Sequence, residues 1–485
     1  MLFNSLQFLL FFPIVTILYF ILRHQHRWFL LLMASCLFYC AFIPKYLLIL
    51  FFTIVIDYFA GRIIEKSSGK KRKAWLIISL IANIGILAIF KYYNFFTENF
   101  NLISTNIFES STTLPLLNII LPIGLSFHTF QAMSYTIEVF RGNQKAEKHF
   151  GIYALYVMFY PQLVAGPIER PQNILHQFYE KHEFNYAKAT AGLRMMLWGL
   201  FKKCVIADRL ANFTDPVFNF PHNYDDATII VASIFFSFQI FCDFSGYSDI
   251  ALGAAKVMGF DLMKNFDRPY SAKSIGEFWS RWHISLSTWF RDYLYIPLGG
   301  NRTTIPRYYM NIMIVFMISG LWHGANWTFI VWGGLHGIFL IMGSVLKPSI
   351  SSIENKINLK KITNVLRTIF IFCLVTIAWI FFRASNFDIA FHMIKSIGHG
   401  ILNLGNANMI HNVFQSSPVI KEELLLSFLL IVLLEAIHAF SFRINIEDFL
   451  LKQNRMVRWS VYYLAISCII ILGVFEHRQF IYFQF

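Results

Sequence analysis

Apolar runs of the ~20 residues that cross a ~30 Å hydrocarbon layer recur along the whole chain, from Leu2–Leu22 to Val457–Phe475. There are about ten to twelve of them, some too short or too polar to be ordinary spans. None has the in-and-out alternation of a membrane barrel, and backbone groups in lipid must be satisfied within their own segment. The pattern therefore predicts an all-α polytopic membrane protein. The first run has no basic residue before it and no small-residue cleavage pattern after it, so it reads as a retained helix and not a signal peptide.

The pattern is regular up to Phe150 and then degrades. Gly151–Pro167 is broken by Tyr160-Pro161 and Gly166-Pro167, and Arg194, Lys202 and Lys203 interrupt the next run. Broken helices at membrane depth survive where protein or a wet cavity surrounds them. Asn212–Asp226 is acidic and reads as an external loop, and Ala227–Gly259 returns with Asp243 and Asp249 inside it or near its end. Lys264–Arg307 is the longest polar interval, rich in Arg, Trp and Tyr, and reads as cytoplasmic or re-entrant. It leads into Met310–Leu321, which ends on Trp322-His323. Apolar helix resumes from Val365, separated by an external or interfacial stretch around Gly398–Lys421. With no internal repeat and no separate soluble domain, residues 1–485 read as one transmembrane domain. Its parts are N-terminal helices (1–113), a core with re-entrant segments (114–348) and C-terminal helices (349–485).

Charge adds orientation. The net charge of +14 would suggest nucleic acid in a soluble protein, but here the basic residues sit mostly in short loops between apolar runs. Arg23–Arg27 and the run Lys66, Lys70, Lys71, Arg72, Lys73 alternate with the weakly charged turn Pro44-Lys45. Thr97–Thr113 carries acids without Lys or Arg, and Arg141–Lys148 is basic again. This places the N-terminus outside. The six cysteines form no Cys-x-x-Cys pair and read as small core residues.

Two histidines stand in dense aromatic and polar surroundings: His283 within Phe278–Trp289, and His323 within the segment Leu-Trp-His-Gly-Ala-Asn-Trp at 321–327. Imidazole is the side chain best suited to proton transfer near neutrality, and ionisable groups inside a membrane are functional hypotheses by default. On a continuous helix Asn326 and Trp327 would share the His323 face, and the amide would orient the ring. Packing among Trp322, Trp327 and Trp332 explains His323 about as well. His336, thirteen residues on, falls on another face and reads as structural, with Gly333, Gly334 and Gly337 marking close helix packing. Asp243 and Asp249 must face protein or water; a proton path, a helix cap or an ion pair with an arginine of the polar interval would each account for them. The chain carries no His-Glu-x-x-His helix, P-loop or Gly-x-Ser-x-Gly elbow, so no metal site is expected.

The segments Trp279–Asn301 and Leu321–Gly337 resemble the membrane-bound O-acyltransferases. Phe159–Arg170, Cys242–Ala251 and the terminal Phe480–Phe485 are similar to the family's bacterial alginate O-acetylation branch. The resemblance covers the chain from about Pro122 onward. It implies a ring of roughly eleven transmembrane helices plus short re-entrant ones around a central channel. It also places the catalytic histidine at His323 and the second motif residue at His283. His323 would take the proton of an acceptor hydroxyl attacking a thioester carbonyl, and His283, with Ser287 one helical turn on, would bind the carbonyl or position the acceptor. Trp279, Arg281, Trp282, Ser287, Asp243 and Asn326 are the expected substrate- or channel-lining residues. Arg268, Lys273, Arg281 and Arg291 would hold the phosphates of an acyl-CoA donor or simply set topology. The implied protein is an O-acetyltransferase of the bacterial cytoplasmic membrane. It holds no bound cofactor, takes acetyl-CoA or another acyl thioester as donor, and works through a periplasmic SGNH-type acyltransferase partner on an extracytoplasmic glycan.

Peptidoglycan O-acetylation and teichoic-acid D-alanylation are the nearest rivals to alginate. A transporter or flippase using the intramembrane acids, or a scaffold without catalysis, are the readings from other classes. The missing repeat speaks against the transporter.

Overall fold

The computed structural model describes residues 1–109, 113–164, 166–356, 360–403, 408–475, 480 and 481. Among these every regular element is helical. They form two compact units: Met1–Met196 with Tyr247–Lys264, and Leu197–Gly246 with Asn265–Phe485.

Unit 1 contains α1 (Leu6–Ile21), α2 (His24–Cys40), α3 (Leu47–Lys66), α4 (Gly69–Leu87), α5 (Tyr93–Asn106), α6 (Leu125–Arg141) and α7 (Phe150–Met158). Ser5 starts α1 by accepting the Phe8 N–H at 3.2 Å. α3 packs on α4 and α6, while α2 packs on α7. A π-helical turn at Ala88–Tyr92 joins α4 to α5 without ending the apolar helix, so Thr97–Asn106, read from sequence as loop, is helical. The run after Phe150 is broken as expected. α7 stops at Met158, Tyr160–Leu163 adds a single turn, and Pro171–Ile174 starts another on its proline. Then α8 (Tyr186–Leu200) leads toward unit 2.

Unit 2 takes in α9 (Asp208–Asn219), the first part of α10 (Asp226–Val257), α11 (Ile275–Arg281), α12 (Ile284–Phe290), α13 (Ile305–His323), α14 (Trp327–Lys356), α15 (Lys360–Arg383), α16 (Phe387–Leu402), α17 (Lys421–Ser441) and α18 (Arg455–Leu472). A π-helical turn at Phe201–Ala207 carries Lys202 and Lys203. The stretch from Asn212, expected as loop, is helical through Asn219 because it has an amphipathic pattern with Leu210, Phe213 and Val217 buried.

Seven helices among the described residues are long and apolar enough to cross a membrane: Pro44–Lys66, Gly69–Asn106, Asp226–Val257, Trp327–Lys347, Ile362–Arg383, Lys421–Ser441 and Arg455–Leu472. α1, at 16 residues, is shorter. The apolar side chains these helices turn outward, such as Leu429 and Ile470, each about two-thirds exposed, suit hydrocarbon and would be a liability in water. The protein is a multi-pass membrane protein. Of the six cysteines, Cys204 and Cys242 are buried as expected, but Cys373 is exposed on α15.

Candidate active site

α13 and α14 form a helical hairpin whose close approach depends on missing side chains. A Cβ on Gly320 would lie 2.2 Å from the Phe329 carbonyl oxygen, and one on Gly333 would lie 2.1 Å from that of Phe316. α13 ends on His323, and Gly324 continues in extended backbone. The imidazole is buried and walled edge-on by Trp322 and Trp332, both with centroids at 4.9 Å, and by Phe382 at 5.3 Å. Because the helix stops there, Asn326 is not one turn along the His323 face. Its Oδ1 accepts the Thr328 N–H at 3.0 Å and its Nδ2 donates to the Ser385 carbonyl at 3.1 Å. Its side chain caps α14 and ties it to the end of α15; Trp327 is half exposed.

His283 sits between α11 and α12 in the left-handed region, φ +43°, where a non-glycine residue is strained. Asn265 holds the turn. Its carbonyl accepts the Ile284 N–H at 2.9 Å, and its Oδ1 accepts the Ser285 hydroxyl at 2.6 Å. The ring is fully buried, edge-on to Phe244 at 4.6 Å and 6.4 Å from Trp322. This polar interval lies outside the spanning helices, and burial pushes the His283 imidazole down to about 3 against the raising effect of a backbone hydrogen bond. Burial thus favours the neutral ring. Ser287 is not aimed with it: its hydroxyl donates to the Trp282 carbonyl at 3.2 Å.

One aromatic network joins both histidines. Trp322 touches each of them, Trp332 continues to Trp279 at 5.8 Å and Trp379 at 5.7 Å, and Trp282 meets Trp379 at 5.0 Å. His336, on α14, is fully buried 5.0 Å from both Trp279 and Trp332. The indole nitrogens of Trp279, Trp332 and Trp379 and both His336 nitrogens are buried without a hydrogen-bond partner among the described residues. Such groups are rare in native proteins.

Arg281 lies beside this network but is committed elsewhere. It pairs with Glu277 at 2.7 Å and donates to Ser271 at 3.0 Å. Glu277 also anchors the start of α11, where Ser274 accepts its N–H at 3.1 Å. Arg268 pairs with Asp267 at 2.9 Å and Arg291 with Asp292 at 2.7 Å; the exposed Lys273 ammonium makes no such ion pair among the described residues, while its backbone N–H donates to Glu277 Oε2 at 2.8 Å.

Comparison with known proteins decides the family. The model of the membrane-bound O-acyltransferase family matches residues 144–386, which contain both histidines. A peptidoglycan O-acetyltransferase of Helicobacter pylori is 35% identical, covering 100% of this chain and 98% of that protein. A probable alginate O-acetylase of Pseudomonas aeruginosa is 38% identical over 82% of this chain and 75% of its own length. A teichoic acid D-alanyltransferase of Streptococcus thermophilus is 30% identical over 49% of this chain and 61% of its own. The chain belongs to the membrane-bound O-acyltransferase family. It is an acyltransferase, and the resemblance drawn from the two histidine segments, including the likeness to the alginate branch, holds.

Within this acyltransferase the partner of Asp243 is one that the sequence reading missed. The carboxylate accepts from Lys203 Nζ at 2.5 Å, with Asp208 accepting from the same ammonium at 2.8 Å. The partner is a lysine of the π-helical turn, not an arginine of the polar interval. The signal was available: two lysines inside an apolar run require buried counter-charges. The second Asp243 oxygen accepts the Ile481 N–H at 2.8 Å, and the Phe480 ring lies 5.5 Å from Phe244, which in turn touches His283. The rest of the terminal Phe480–Phe485 motif falls outside the described residues.

Proposed function

We propose that the chain moves an acetyl group from cytoplasmic acetyl-CoA to the hydroxyl of an extracytoplasmic glycan, with His323 as general base. The observation that carries this reading is a buried imidazole at a helix end, walled by aromatic rings, beside a cluster of indole and imidazole nitrogens with no hydrogen-bond partner among the described residues. His323 takes the acceptor's proton as the hydroxyl oxygen attacks the thioester carbonyl. The carbon–sulfur bond then breaks and the proton passes to the leaving thiolate. Neutral His283 orients the carbonyl or the acceptor, and the buried N–H groups supply donors to carbonyl oxygens of the donor. Such a base contributes about 10²–10⁴-fold to the rate.

The rest of the reading places the N-terminus outside the bacterial cytoplasmic membrane, in a ring of about eleven helices around a channel, with a periplasmic SGNH-type acyltransferase completing the transfer. The alginate branch supplies one acceptor. Peptidoglycan is the second, favoured by the end-to-end similarity to the Helicobacter enzyme. One experiment addresses both acceptor and base: quantify acetate esters on purified sacculi and on exopolysaccharide from cells carrying the wild type or His323→Ala. The reading expects esters on one polymer that disappear with the variant. Unchanged esters with the variant folded and inserted would exclude His323 as the base.

A further inference from the structure

Unit 1 contains a buried carboxyl that acyl transfer does not use. Asp57 lies within the span Pro44–Lys66 and is fully buried. Among the described residues no lysine, arginine or histidine pairs with it. Its hydrogen-bonding neighbours are neutral: Ser79 Oγ at 2.6 Å from Oδ1, and Asn83 Nδ2 at 3.0 and 2.9 Å from the two oxygens. Both come from α4, within the span Gly69–Asn106. α7 adds Tyr153, whose buried hydroxyl makes no hydrogen bond among the described residues.

Counting hydrogens discriminates between the two states of this carboxyl. The Thr136 hydroxyl, from α6, donates to the Met133 carbonyl at 3.2 Å, and Ser79 Oγ also lies 3.0 Å from Thr136 Oγ1. Ser79 has one hydrogen and two neighbours to serve. With Asp57 ionised, Ser79 must donate to the carboxylate. Thr136 then either faces it lone pair to lone pair or abandons Met133. With Asp57 protonated, the chain closes in one direction: Asp57 donates to Ser79, Ser79 to Thr136, and Thr136 to Met133. Each hydroxyl then accepts once and donates once. An isolated carboxylate amid apolar helices without a cation is also the costlier state.

We propose that Asp57 is an intramembrane proton-binding site. The bound proton ties α3 to α4 and, through Ser79 and Thr136, to α6, and it is separate from the proton that His323 handles.

Infrared spectroscopy of the full chain in lipid nanodiscs at neutral pH tests this. The carbonyl stretch of a protonated carboxyl lies apart from carboxylate and amide bands. The wild type minus Asp57→Asn difference is expected to contain one protonated-carboxyl band and no loss of carboxylate bands. Ser79→Ala should shift that band by removing the acid's acceptor. If Asp57→Asn fails to fold, wild type grown with carbon-labelled aspartate reports the same: a protonated-carboxyl band that moves with the label and with Ser79→Ala. Loss of carboxylate bands in Asp57→Asn, a labelled sample without such a band, or carboxylate bands that change when sodium replaces potassium would each overturn the proposal, the last in favour of a sodium site.

Discussion

His283 and His323 lie against the same indole, Trp322, yet the fold holds them by opposite means. His283 is fixed through its backbone, in a strained turn fastened to Asn265 and roofed by Phe244. His323 is fixed through its ring, at the end of α13 among Trp322, Trp332 and Phe382. The base proposed at His323 must gain and lose a proton without the fold rearranging, and aromatic walls hold a ring in place in both states. A residue that orients a substrate benefits from a backbone that cannot move. The two supports should therefore fail differently when cut.

The largest effect on stability is expected on the His283 side, from Lys203→Met. Removing the ammonium that buried Asp243 and Asp208 share costs about 3–5 kcal/mol, and should appear as a drop in the thermal unfolding temperature of purified protein. Next comes His283→Ala, expected to lower transfer about 10²-fold in protein that still folds and inserts. A value equal to wild type would remove His283 from the chemistry. Asn265→Ala releases the strained turn. It should cost about 1–3 kcal/mol and lower transfer with it, and transfer maintained at wild-type rate would mean that the turn does not position His283. The smallest effect belongs to the His323 side: Asn326→Ala removes a helix cap worth about 1 kcal/mol and should leave transfer within a fewfold of wild type. A loss as large as that of His283→Ala would return Asn326 to the substrate.

The helical class, the broken helices after Phe150 and the two histidine segments were legible because each leaves a local mark: long apolar runs, Pro and Gly breaks, and dense Trp and His clusters. Three features were not legible. The helix α13 ends at His323 and Gly324 is extended, where the apolar pattern alone carries on as helix, so Asn326 was placed on the wrong face. For Asp243 a proton path, a helix cap and an arginine pair were all left open; the lysines of the apolar run signalled a buried counter-charge, but which acid supplies it, 40 residues along the chain, is beyond the reach of periodicity. The left-handed turn at His283 depends on Asn265, a residue whose type does not advertise that role.

The most direct measurement of the central claim is acetyl transfer from acetyl-CoA to a hydroxyl acceptor by purified, reconstituted protein, comparing wild type with His323→Ala. The account predicts a variant that still folds and inserts, with a rate lower by about 10²–10⁴-fold. A variant that folds and transfers within tenfold of wild type would contradict it.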